Sequence, residues 1–167
     1  MNPAAPFRAA LSVRNIRLLL VGLAVSQAGD WLYNLALLAL VYGRTHSSVW
    51  VGLTTAARIL PEVALGPLGG ILADRVDRRR LMIGSDVIRA GTMAMLALVA
   101  TAHAPIVFAP ILAAACTGAG SAYAPCVVAV LPHLATDEQL PAANAARVSI
   151  QSICIVAGPL FGALLML

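Results

Sequence analysis

The sequence predicts an all-α integral membrane protein, a bundle of about five transmembrane helices. Three observations carry this. The 167 residues are 60% hydrophobic and only 11% charged, with a mean hydropathy of +0.90. A water-soluble domain covers its surface with roughly a quarter charged residues, so the solvent of this chain is largely lipid. Second, the apolar residues fall in runs of the length, about 20 residues, that a helix needs to cross the hydrocarbon core. Third, the arginines gather between some of those runs and not others.

Taken in order, residues 1–17 form a short tail carrying Arg8, Arg14 and Arg17. The first span covers about 18–41. Ser26, Gln27 and Ala28 loosely resemble a signal cleavage site, but the apolar run continues through 35–41, which is too long for a cleaved signal. It reads as an uncleaved first helix. Four more spans follow at about 49–73, 81–101, 106–131 and 145–167. The connections between them are short, so consecutive helices pack as antiparallel neighbours.

Orientation follows from the arginines. The tail and the second connection, with Arg75, Arg78, Arg79 and Arg80, are strongly basic. The first and third connections hold only Arg44 between them. The positive-inside rule puts the N-terminus in the cytoplasm of a multi-pass protein of the plasma (inner) membrane. Gly66 with Gly70, Gly118 with Ala122, and Gly158 with Gly162 stand four apart, a spacing at which helix backbones approach closely in lipid. Pro61, Pro67, Pro110, Pro125 and Pro159 fall inside spans and predict kinks.

Several function classes are disfavoured. The net charge is +4, all of its positive side supplied by arginine, with 5% aromatic residues. A nucleic-acid surface spreads basic residues over a polar face with interleaved aromatics. Cys116, Cys126 and Cys154 lie in apolar stretches without a C-x-x-C pair and read as packing residues. His46, His103 and His133 fall in connections. No nucleophilic triad, metal cluster or cofactor motif is present, so an enzyme is not expected.

The polar residues inside the spans are the candidate site. Gln27, Asp30 and Asn34 follow i, i+3, i+7 spacing and share one face of the first helix. An acid at that depth is costly and faces a cavity or a partner. Two readings of Asp30 stand: a carboxylate that carries protons or touches substrate, or a helix–helix hydrogen bond. Arg58 and Glu62, at i, i+4, either pair within the second span or line the same cavity. Asp86 and Arg89 read as a local pair with the arginine snorkelling to the cytoplasmic surface.

Residues 70–80 differ in kind. They join a small-residue helix end, an acid and a basic cluster in one turn. Asp74 there is able to accept hydrogen bonds from a helix N-terminus or an arginine, a latch that forms in one conformation and breaks in another. The bland reading is a basic loop that only sets orientation.

Here the sequence resembles the major facilitator superfamily. Gly70, Leu72, Ala73, Asp74, Arg75, Arg78 and Arg79 match its signature between the second and third helices, and Asp77 departs from it where the family usually has glycine. The form of this loop, the Gly29-Asp30-Trp31 element, and the pattern of Pro125, Leu131, Pro132 and residues 143–145 resemble the bacterial siderophore and macrolide exporter subgroup. Gly158, Pro159 and Gly162 resemble the fifth-helix motif of drug/proton antiporters, with Cys154 and Ala163 in place of glycines. The fourth span lacks the basic element that many drug exporters carry, which moves the proton role onto Asp30.

The resemblance implies two six-helix halves built from inverted repeats, with substrate held near the midplane. It implies that Gly70, Asp74, Arg75, Arg78 and Arg79 form a gating loop against the second half. Five spans then read as the incomplete N-terminal half of a major facilitator fold. The expected function is proton-coupled export of small hydrophobic compounds, with the lipid bilayer, a small-molecule substrate, protons and the missing C-terminal half or a partner chain as partners. The alternative is a small non-transporting membrane protein, either a truncated remnant or a subunit.

Overall fold

The computed structural model describes Phe7, residues 11–102 and residues 104–165; the side chains of Asp74, Pro159 and residues 161–165 lie outside the description. Among the described residues, six helices are delimited at both ends: α1 (Arg14–Thr45), α2 (Ser48–Arg75), α3 (Arg78–Thr101), α4 (Phe108–Gly120), α5 (Tyr123–Leu134) and α6 (Leu140–Leu165).

At most ends the helices outrun the spans expected from hydropathy, although α4 starts at Phe108 rather than at 106. α1 begins four residues before position 18 and ends four after position 41, and α3 starts at Arg78 rather than at 81. Hydropathy marks only the part of a helix that crosses hydrocarbon. The backbone keeps its internal hydrogen bonds beyond that slab, and arginines ride on the emerging ends. The connections shrink accordingly. Between α1 and α2 only residues 46–47 remain, with His46 at a positive φ of 48°, a conformation that histidine tolerates better than most residues.

Four stretches are long and apolar enough to cross a membrane among the described residues: Ser48–Ala73, Arg78–Thr101, Phe108–Leu134 and Leu140–Gly158. α1 has 32 residues, ample for a crossing. It does not join those four because Gln27, Asp30 and Asn34 interrupt its apolar run.

The fourth span is the clearest departure from expectation. It is not one helix but two, broken at Ser121 and Ala122. Pro125 has no N–H, so the carbonyl of Ser121 loses its helical donor. Ser121 closes the turn instead, donating from both its backbone N–H (3.3 Å) and its hydroxyl (2.8 Å) to the Gly118 carbonyl. Cys126 then resumes the ladder by donating to Ala122 at 3.2 Å. Pro61 and Pro67 do not break α2, which runs through both. Pro110 falls in the first turn of α4, where no intrahelical bond is lost.

The chain divides into two units. One joins Met1–Leu32 with Val127–Leu167. Its core is Ile16, Leu20, Leu131, Ala142 and Ala143, so Leu131 and Ala143 of the exporter-like pattern are packing residues, while Ala145 is exposed. The other unit, Tyr33–Cys126, is organised around α4, which lies against both α2 and α3. Its core is Tyr33, Leu37, Val41, Leu96, Ala109, Ala113 and Cys116. Arg44 ties the end of α1 to the end of α3: its guanidinium donates to the carbonyls of Val99 (2.9 Å), Ala100 and Ala104 (2.9 Å). The orphan carbonyls that end α3 are thereby satisfied, and a cation faces the negative end of the helix dipole.

Candidate functional site

The site residues expected from sequence fall into four groups. Gln27, Asp30 and Asn34 lie along α1, each half-buried. Tyr33, one residue before Asn34, is buried, and its hydroxyl has no hydrogen-bond partner among the described residues. Such a group costs roughly 1–3 kcal/mol. Nothing in the sequence marks this tyrosine, because an unpartnered hydroxyl depends on neighbours remote in the chain.

Arg58 and Glu62 lie on α2, the arginine half-buried and the glutamate exposed. They form no ion pair among the described residues. The structural pair allowed by their i, i+4 spacing is absent, and two charges of a membrane span stand unneutralised by each other.

The loop after α2 is a tight reversal at Val76 and Asp77. Arg75, Arg79 and Arg80 are exposed, while Arg78 is half-buried and donates from Nε to the Ala73 carbonyl at 3.4 Å. It thus covers one of the last carbonyls of α2. The expected latch residue Asp74 has its side chain outside the described residues. Asp77, which departs from the family signature, is the N-cap of α3 and accepts the Arg80 N–H at 2.9 Å. The acid supplies a cap that glycine lacks.

The fifth-helix motif meets the first-helix element. A Cβ built on Gly158 would lie 2.6 Å from Cγ and 2.7 Å from Cβ of Trp31. The indole therefore sits against bare α6 backbone, and only glycine admits it. Pro159 and Gly162 have their side-chain positions outside the described residues.

Two residues that sequence reading misjudged complete the picture. The small-residue spacing singled out Gly66 and Gly70, yet neither has anything within 4 Å of an added Cβ. The close approach is at Gly69, where a Cβ would lie 2.8 Å from the Ser121 carbonyl oxygen and 3.0 Å from Cα of Ala122. The Gly69 Cα–H in that direction points at the carbonyl that Pro125 leaves without a donor. Arg89 was expected to snorkel. It lies half-way along α3 and is only 6% exposed, although its expected pair with Asp86 does form, at 3.3 Å. Neighbouring helices, which a one-dimensional reading does not see, enclose it.

The sequence profile of the Major Facilitator Superfamily matches residues 19–167. The chain belongs to the major facilitator superfamily. Among curated relatives of this transporter family, macrolide efflux protein A of Streptococcus pyogenes is 31% identical over 145 residues, covering 86% of this chain and 36% of the relative. The putative bacilysin exporter BacE of Bacillus amyloliquefaciens is 31% identical over 154 residues, 92% of this chain and 38% of its own. An uncharacterized MFS-type transporter of Mycobacterium tuberculosis, Rv0037c, is 31% identical over 170 residues, 96% of this chain and 38% of its own. The chain thus spans little more than a third of the length of these relatives. No solved structure gives a significant match. The major facilitator membership and the apolar helices make this a multi-pass membrane protein with a partial major facilitator bundle.

Proposed function

We propose that this chain forms the N-terminal part of a proton-coupled exporter of small hydrophobic compounds in the plasma membrane, with its N-terminus in the cytoplasm. The observation that carries the reading is the polar face of α1, with half-buried Asp30 at its centre, in a chain whose relatives include proteins named for macrolide efflux and bacilysin export. An acid within a membrane helix marks a pathway for protons or substrate more often than a structural contact. In this reading Gln27, Asp30 and Asn34 line the cavity, with Arg58 and Glu62 as further polar contacts. Gly70, Asp74, Arg75, Arg78 and Arg79 gate it, against a second half or partner chain. Gly158, Pro159 and Gly162 shape the fifth span, with Trp31 seated on Gly158.

Asp30→Asn in the full-length protein tests the coupling. The substitution keeps shape and hydrogen bonding but removes the titratable proton. Drug efflux driven by an imposed pH gradient is expected to collapse, while substrate equilibration without a gradient continues. Efflux that keeps its wild-type pH dependence in this variant would remove Asp30 from the proton path.

A further inference from the structure

A buried guanidinium inside a membrane span needs a compensating environment, because an uncompensated charge there is expensive. Arg89 has one, and it is assembled around the break in the fourth span. Its Nη1 donates to Asp86 at 3.3 Å. Its Cζ stands 5.8 Å from the ring centroid of Tyr123, the first residue of α5. Its Cδ and Nε lie 3.7 Å from where a Cβ of Gly120, the last residue of α4, would be. One side chain therefore reaches both sides of the break. One turn earlier on α3, the Ser85 hydroxyl donates to the Ala119 carbonyl at 2.7 Å. α2 meets the same break through Gly69, against Ser121 and Ala122.

The chemistry of the break explains why a charge is kept there. The last carbonyls of α4 have lost their helical donors, and the end of the helix carries the negative pole of its dipole. Within a bilayer, water does not replace those donors. Ser85 satisfies one carbonyl, and the Arg89 cation sits beside the pole. An apolar side chain of equal length would fill the space and leave the pole bare.

We propose that Arg89 is an electrostatic splint: a positioning residue on α3 that holds α4 and the first turn of α5 at a fixed angle across the proline break. Displacement of α3 is thereby carried into the fourth span, which α2 also touches at Gly69.

Hydrogen–deuterium exchange on the full-length protein in lipid nanodiscs tests this. Arg89→Met keeps length and removes charge; Arg89→Lys keeps charge and loses the planar fork. The splint requires Arg89→Met to speed exchange of the amides of 119–126 roughly tenfold while α6 keeps its wild-type rates, with Arg89→Lys restoring most of the protection. Tyr123→Leu should give a smaller local rise and add nothing on top of Arg89→Met. Wild-type rates at 119–126 in Arg89→Met overturn the proposal. So does equal loosening by Lys and Met, or a uniform rise across all helices. Should Arg89→Met fail to fold, Tyr123→Leu decides alone: a rise confined to 119–126 supports the splint, and wild-type rates there overturn it.

Discussion

Gly158 shows how much a single hydrogen in place of a methyl decides. Glycine inside a helix normally costs up to ~1 kcal/mol against alanine, and at Gly22, where an added Cβ meets nothing within 4 Å, Gly22→Ala should recover part of that. At Gly158 the same change drives a methyl into Cγ and Cβ of Trp31, and the Cβ cannot move unless α1 moves. Overpacking of this kind costs ~1–3 kcal/mol, enough to outweigh the propensity gain. Thermal unfolding in detergent should therefore show Gly158→Ala melting below wild type and Gly22→Ala at or above it. Equal melting temperatures would sink this account of the contact. Asp77 makes a second residue-scale case. Loss of its cap in Asp77→Ala should cost about 1 kcal/mol, whereas Asp77→Gly, the family's usual residue, should cost only a few tenths. The same melting experiment ranks the two.

At the scale of elements, composition announced helices almost at once, but neither their number nor where one of them breaks. Five prolines were equally suspect from sequence. Pro61 and Pro67 pass inside a continuous α2, while Pro125 accompanies the break between α4 and α5. The difference lies in what stands nearby. The Ser121 carbonyl freed by Pro125 faces the α2 backbone at Gly69, and Ser121 bonds back to Gly118 to close the turn. Pro125→Ala restores an N–H opposite that carbonyl. Its new amide should exchange slowly, as in a continuous helix, and the fourth span should straighten at the expense of the Gly69 contact. An amide at position 125 exchanging at the rate of an unstructured chain would refute this cause of the break.

On the scale of the whole molecule, the apolar surface left uncovered is the main physical fact. Val49, Val63 and Val25 are 74%, 70% and 68% exposed, an arrangement stable only where the surroundings are themselves apolar. Charge distribution then sets direction. The proposed cytoplasmic N-terminus, with the 75–80 cluster on the same side, requires Ser48 at the start of α2 to face outward and Thr136 before α6 to face inward. Single cysteines placed as Ser48→Cys and Thr136→Cys, with Cys116, Cys126 and Cys154 replaced by alanine, provide the check. A membrane-impermeant maleimide added to intact cells is expected to label position 48 and to reach position 136 only after permeabilisation. The reverse pattern would invert the topology.

Sequence alone determined that this protein lives in lipid, that it is helical, and which family it belongs to. Those properties are additive along the chain. Transfer energies sum residue by residue, lone acids and arginine clusters stand out against an apolar background, and the signature of residues 70–79 is contiguous. Tertiary structure decided which faces meet. It chose Gly69 over Gly66 and Gly70 as the crossing point, buried Arg89 instead of letting it snorkel, gave Arg58 and Glu62 no ion pair with each other among the described residues, and seated Trp31 on Gly158. Each of these depends on atoms far apart in the chain. In a bilayer, where every helix is apolar over most of its surface, periodicity carries little information about which face turns to a neighbour and which to lipid.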